Sequence, residues 1–324
     1  MFVDLHVHLR GTIRPERARL LAVRHNMALP KSMVGVPGYG WHDFASFLQA
    51  YDRVTSVVRT ARDLEEVAYE YLSIAAEQGT IYVEFMLSPP DLLRAGVPYA
   101  DQLAAVQAAS DRAREQYGIE CRLVATAVRH LGPRAAVEAA RVAVARATSL
   151  VVGFGLTGDE RQFPVQQFEE AFRIARSEGL KVTAHAGEHR GAESIIEAVD
   201  CLRLDRVGHG VRAAESAPVM RQLAASGIPL EVCLSSNLAL GLYPSIKEHP
   251  VASLAAAGCT FVLGTDDPTF FATSPQREYQ LASIALPLGP TSASITERAI
   301  ETAFCDEATK ARLRLGMYRT ARSA

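Results

Sequence analysis

Three features of the 324-residue sequence predict an α/β fold, a (β/α)8 TIM barrel with a helical insertion between strands 1 and 2. Helical patterns end in a glycine that leads into a β-rich run, eight β-rich runs alternate with helical stretches, and most units span roughly 25–40 residues, one strand plus one helix. The runs are short and rich in Val, Ile, Leu and Phe, as strands covered on both faces should be.

The first strand is VDLHVHL at 3–9, and the second is TIYVEFML, entered through Gly79. About 70 residues separate them, too many for one barrel helix, so residues 11–78 are expected to hold extra helices. There Trp41, Phe44, Phe47 and Tyr51 recur at helix-like spacing behind the punctuating run GVPGYG at 35–40. These aromatics form either a satellite core cluster or a hydrophobic lid over the barrel mouth, in which case Phe47 meets substrate. Gly118 opens the third strand, IECRLVATAV, and LVVGFGL at 150–156 is the fourth. Gly179 opens LKVTAHAG, DRVGHG at 205–210 is the sixth strand, and Gly227 and Gly258 open IPLEVCLSS and CTFVLGTD. A glycine just past a helix end adopts the left-handed conformation that turns the chain into the next strand. No linker, low-complexity tract or repeat interrupts the pattern, so residues 1–324 read as a single domain.

Charge and cysteine content narrow the function. With 34 Lys+Arg against 36 Asp+Glu the net charge is −2, without the basic footprint of a nucleic-acid binder. The basic residues Lys310, Arg312, Arg314, Arg319 and Arg322 read as a solvated helix face. Cys121, Cys201, Cys233, Cys259 and Cys305 form no Cys-x-x-Cys pair and read as reduced thiols. No apolar stretch is long enough to span a membrane and the N-terminus lacks a signal pattern, so a cytoplasmic location is expected. Oligomeric state is not readable from the sequence.

In a parallel barrel, chemistry sits at the C-terminal strand ends. His6 and His8 share one strand face by the period of two. His185, followed by Glu188, ends the fifth strand, His209 the sixth, and Asp266 and Asp267 the eighth. Each alone reads as a hydrogen-bonded structural residue or a helix cap, but together they make a ligand set. His25, His42, His189 and His249 fall in helices or loops, while His130 follows the third strand as an outer partner. Imidazole and carboxylate without thiolate suit zinc, with iron, cobalt or manganese as alternatives. Lys31, Lys181, Lys247 and Lys310 all lie away from the end of the fourth strand, which favours one metal over a lysine-bridged pair.

The segments HVHLRGTIRPE, YVEFMLSP, VRH at 128–130, VVGFGLTGDE, HAGE, RVGHGVR, LEVCLSSN and LGTDDP resemble, in order from residue 3 to about 271, the adenosine and adenine deaminases of the amidohydrolase superfamily. The cytidine and tRNA-type deaminases carry a different signature, absent here. The resemblance implies one zinc ion per chain on His6, His8, His185 and Asp266, and a small purine as substrate. It implies that His209 orients or deprotonates the attacking water, that Glu188 protonates purine N1, that Asp267 bonds N7, and that the Gly158 N–H meets N3. The product would be a 6-oxopurine plus ammonia.

Two positions depart from that family's pattern. Arg10 stands where adenosine deaminases carry Asp and adenine-specific relatives often Glu. A guanidinium only donates and pairs with carboxylate or phosphate. Arg10 therefore either reads an anion on a 5′-modified or nucleotide-like substrate, aminodeoxyfutalosine being one such, or marks an altered 6-substituted purine, or pairs with an acid such as Glu84. Gly155 replaces an Asp common in relatives, which would enlarge the pocket or remove an outer partner of the ligands. Beside the deaminase stand two further readings, an amidohydrolase with another leaving group and a catalytically dead binding protein on the same scaffold.

Overall fold

The computed structural model describes residues 1–29, 38–145 and 148–321. Eight parallel strands follow one another around one sheet in chain order: β1 (Phe2–His8), β2 (Thr80–Leu87), β3 (Glu120–Val128), β4 (Val151–Thr157), β5 (Lys181–Ala186), β6 (Arg206–His209), β7 (Leu230–Val232) and β8 (Phe261–Leu263). The sheet closes where the His8 N–H donates to the Asp266 carbonyl and the Asp266 N–H to the His6 carbonyl, both at 2.8 Å. The chain is a TIM barrel, and the closing seam carries three of the candidate site residues.

Between β1 and β2 the chain forms α1 (Pro15–Arg24), α2 (Phe44–Thr55) and α3 (Ala61–Glu77). The part of the 35–40 run up to residue 37 lies outside the described residues. A capping box starts α3, with Thr60 and Asp63 each accepting the other's backbone N–H. The Asp63 carboxylate also takes Arg24 at 2.6 Å and His25 at 2.7 Å, which fastens the end of α1 to α3. Downstream come α4 (Pro89–Arg94), α5 (Tyr99–Tyr117), α6 (Gly132–Ala145), α7 (Glu169–Ser177), α8 (Glu193–Leu202) and α9 (Ala217–Ser226). Gly118, at φ 74°, ends α5 in the left-handed region the sequence pattern requires.

The last two strands are shorter than their β-rich runs. Of 228–236 only Leu230–Val232 is strand, and Leu234 already opens α10 (Leu234–Ala239). The buried Glu278 carboxylate is the cause: it accepts the N–H of Leu234 at 2.8 Å and of Ser235 at 3.3 Å, replacing ladder partners with a helix start. Likewise β8 stops at Leu263, because at Gly264 the backbone presses on His6 so closely that a Cβ would lie 2.4 Å from the His6 Cβ. α11 (Val251–Ala256) precedes β8, and α12 (Pro275–Ala285), α13 (Ser292–Thr302) and α14 (Glu307–Ala321) complete the chain.

Charge fills the interior below the site. Arg206 donates to Glu231 through Nε and to Glu84 through Nη2, both at 2.6 Å, with all three side chains buried. Phe304, between α13 and α14, lies under them: its N–H donates to Glu84 at 2.6 Å and its ring sits 3.5 Å from the Arg206 guanidinium carbon. The C-terminal basic run is not only a solvated face, since Arg312 pairs with Glu120, Arg314 with Glu301 and Lys310 with Glu307. Arg322 lies outside the described residues.

Candidate active site

The barrel geometry brings the histidines and acids of β1, β5, β6 and β8 to one point. His6 and His185 have ring centroids 4.9 Å apart, His6 and His209 5.0 Å, and His185 and His209 4.6 Å. His8 is 5.5 Å from His185, and Asp266 Oδ1 stands 3.2 Å from His8 Nε2 and 3.9 Å from His6 Nε2. Close packing at Gly208 permits this, for a Cβ there would lie 3.0 Å from His185 and 3.1 Å from His6. His209 and Asp266 both hold positive φ, 60° and 61°, a strain of roughly 1–3 kcal/mol each that the surrounding packing must offset.

His6 Nδ1 meets the Glu231 carboxylate at 2.7 Å, so Nδ1 carries the proton and the Nε2 lone pair faces the cluster. Despite the opposing effect of burial, Arg206 and His6 hold the Glu231 carboxyl down to about 2, so it stays ionised. The Nε2 atoms of His6 and His185 and both ring nitrogens of His209 are buried without a hydrogen-bond partner. Orphaned polar atoms of this kind are costly unless something binds them. Ligand atoms of His6, His8 and His185 lie within 4.8 Å of one another, as do those of His6, His209 and Asp266. Zinc takes such nitrogen and oxygen donors at about 2.0–2.2 Å in a tetrahedron, so the donor set fits that ion.

Burial, reinforced by the neighbouring rings of His209, His6 and His8, drives the His185 pKa well below its ordinary value. Burial likewise pushes His209 down to about 3, leaving a neutral ring. Glu188, whose Oε2 is 3.7 Å from His209 Nε2, moves the other way: burial, then Asp266, Glu160 and Asp267, raise its pKa well above the usual carboxylate range. Burial and the adjacent Asp266 also raise Asp267, whereas the His8 hydrogen bond and the nearby rings, overriding burial, hold Asp266 well below 3.8. The surroundings thus shift neighbouring carboxyls in opposite directions, Asp266 down and Asp267 and Glu188 up.

A cavity of about 470 Å³ opens on this cluster and includes His8, His185, Glu188, Asp266 and Asp267. Gly158 lines it, held so close to His130 and Val128 that a Cβ would lie 3.2 Å from each. Phe47 lines it as well. Its ring packs 5.1 Å from Phe271 and 5.6 Å from Trp41, so the cluster is at once a packed core and a wall of the cavity. Arg10 is buried in the same wall, its guanidinium carbon 5.9 Å from the Tyr51 centroid. The suggested acid Glu84 is engaged elsewhere, by Arg206, Tyr82 and Phe304. A Cβ at Gly155 would meet Thr126, which lines the cavity, as well as Val124 and Thr183, at 3.2–3.5 Å.

Three buried side chains that the sequence reading did not single out support the cluster. Glu231 holds His6, and the Ser236 hydroxyl donates to Asp266 Oδ2 at 2.6 Å. Glu160 accepts the N–H groups of Gly187, Glu188, His189 and Arg190 at 3.0–3.3 Å, fixing the loop that carries Glu188. Their signal lay within the segments GDE, LEV and SSN, whose function depends on three-dimensional pairing.

The model of the family described as adenosine deaminase matches residues 2–320. The chain belongs to that family. It is 41% identical over 309 residues to an adenine deaminase of Rhizobium leguminosarum bv. trifolii (strain WSM2304), covering 95% of this chain and 96% of that one. An adenine deaminase of Chelativorans sp. (strain BNC1) is 42% identical over 314 residues, 96% of this chain and 95% of its own. The crystal structure of adenine deaminase from Arthrobacter aurescens superposes with a TM-score of 0.91 at 29% identity, over 99% of both chains. An amidohydrolase from Burkhoderia ambifaria with bound Zn gives 0.86 at 29% identity, over 97% of this chain and 88% of its own. This member of the adenosine deaminase family is a purine deaminase, a hydrolase acting on C–N bonds.

Proposed function

We propose that the enzyme hydrolyses the exocyclic amine of a 6-aminopurine to the 6-oxopurine and ammonia, with one zinc ion per chain held by His6, His8, His185 and Asp266. The observation that carries this reading is the convergence of orphaned, buried ring nitrogens beside Glu188, whose carboxyl pKa is raised by burial and the neighbouring acids. When bound, zinc supplies the Lewis acidity that makes a hydroxide nucleophile available at neutral pH.

The chain's own groups then divide the proton work. Glu188 delivers its proton to ring N1, which makes C6 electrophilic as the oxygen of water bonds to it. His209, neutral and facing the same point, accepts a proton from that water and passes it toward the departing amine. As the C6–N bond breaks, the hydroxyl now on C6 gives its remaining proton to the Glu188 carboxylate, which restores the acid and forms the C6 carbonyl; one water is consumed and one ammonia leaves. Asp267, protonated, donates to N7, and the Gly158 N–H meets N3. Within the insertion, the α2 aromatics Phe44, Phe47 and Tyr51 line the cavity and act as a lid that excludes water from the reacting pair.

Purified protein is expected to contain close to one zinc per chain and to release ammonia from a 6-aminopurine, while Glu188→Gln retains the metal and loses at least about a hundredfold in kcat. Stoichiometric zinc with no ammonia from adenine, adenosine, adenine nucleotides or N6-substituted adenines would overturn the substrate class.

A further inference from the structure

The loop that carries Glu188 also carries His189. The backbone of His189 is held from two sides: its N–H donates to Glu160 Oε2 at 3.3 Å, and its carbonyl accepts from Arg212 Nη1 at 3.0 Å. The ring lies under Phe44, the first residue of α2, with centroids 4.2 Å apart, and the Arg161 guanidinium carbon stands 5.2 Å from the Phe44 centroid. Only 9% of the His189 side chain remains exposed.

A histidine packed in this way reads first as a spacer between the loop and the insertion. Its Nε2 argues for more, because that atom is buried without a hydrogen-bond partner and stands 3.6 Å from Glu188 Oε2. A bare ring nitrogen under an aromatic cover is costly unless it gains a partner. A shift of about 0.5 Å brings the two atoms to hydrogen-bond length, the kind of tightening that substrate binding produces in active sites. The same oxygen faces His209 Nε2 at 3.7 Å, so one side of the Glu188 carboxyl looks at two imidazoles. Burial, then Arg161, pushes the His189 pKa down to about 4, so the ring is neutral at pH 7 and carries one N–H.

We propose that His189 is a positioning residue for Glu188: its Nε2–H bonds Oε2, which directs the carboxyl proton to Oε1, and the bond strengthens when Glu188 becomes a carboxylate. Phe44 covers the pair and keeps water from it, which ties α2 to the acid as well as to the cavity wall. The inference rests on the deaminase reading, in which Glu188 gives a proton to N1 and later recovers one. A hydrogen bond that is stronger to the anion than to the acid favours the charged state formed on the way to the intermediate. No proton moves to or from His189 itself.

Steady-state kcat and KM for ammonia release, on whichever of adenine, adenosine and AMP the parent turns over fastest, test this with two substitutions. His189→Phe keeps a flat ring under Phe44 and removes the donor, whereas His189→Gln keeps an N–H near the Nε2 position. His189→Phe is expected to lower kcat by about tenfold or more, the size of a hydrogen bond to a charged group, with KM within about twofold and zinc content unchanged. His189→Gln is expected to return kcat to within about threefold of the parent. A residue that acts through Glu188 has nothing to act on once the carboxylate is gone. Adding His189→Phe to Glu188→Gln is therefore expected to change the residual rate by less than about twofold. Parent-like kcat in His189→Phe, an equal loss in both substitutions, or a full further loss in the double variant each overturns the inference and leaves the deaminase reading standing. Ammonia from none of the three purines overturns both.

Discussion

At the residue scale, the position of one ring nitrogen depends on a chain of buried charge. Glu231 holds His6 Nδ1 at 2.7 Å and is itself held by Arg206 and by the Thr183 hydroxyl at 3.0 Å. A carboxylate behind a ligating imidazole fixes its tautomer and raises its basicity, and such partners are worth roughly 10–100-fold in metal affinity. Glu231→Gln keeps the shape and removes the charge. Chelator competition is expected to show zinc affinity lower by about 10–100-fold, with kcat largely restored at saturating zinc. Unchanged affinity would mean that the His6 ring is held by packing alone. The histidines and Asp266 stood out in the sequence because strand ends of a barrel concentrate chemistry. Glu231, by contrast, reads as an acid in a β-run, and its role appears only when β1 and β7 are placed on either side of β8 in the closed barrel.

At the scale of elements, glycine-terminated helices made the strand order legible, and strand length was where sequence patterning fell short. β-rich composition continues through 228–236, yet a carboxylate from α12 takes over the backbone donors and starts α10. That carboxyl is buried, and burial, opposed by the hydrogen bonds of Ser235, Thr273 and Leu234, raises its pKa from 4.5 to about 7. The unfolded chain releases this proton near 4.5 and the folded chain near 7. The stability it confers is therefore full below pH 4.5 and is lost as pH rises through about 7. The shift corresponds to on the order of 3 kcal/mol. Denaturant unfolding at pH 5 and pH 8 is expected to show that Glu278→Gln, which mimics the neutral carboxyl, loses less stability over this interval than the parent. Parallel pH profiles for the two proteins would show that Glu278 is already ionised when folded.

At the scale of the whole molecule, the barrel has a chemical end and a sealed end, joined through its axis by charged groups. The mouth carries the rings and acids, and Glu231 and Arg206 lead down to Glu84 and to Phe304. The eightfold alternation was readable because each strand and helix carries its own local pattern. The seal was not, since nothing in the segment 303–306 identifies it as the floor of a barrel. Phe304 approaches so near that a Cβ on Gly153 would meet its ring at 2.8 Å. This arrangement separates global stability from site geometry. Removing the ring opens space at the floor and takes away a cation–π partner, but leaves Arg206 still anchored by Glu84 and Glu231. Phe304→Ala is expected to cost about 2–3 kcal/mol of unfolding free energy, at or below the lower end for a fully buried ring because this one is half-buried. Zinc affinity and KM should stay within about twofold, because the carboxylate behind His6 keeps both of its partners. Measured together, denaturant unfolding and metal titration decide the matter. A parallel fall in both would show that strain at the floor travels the full length of the charged column to His6.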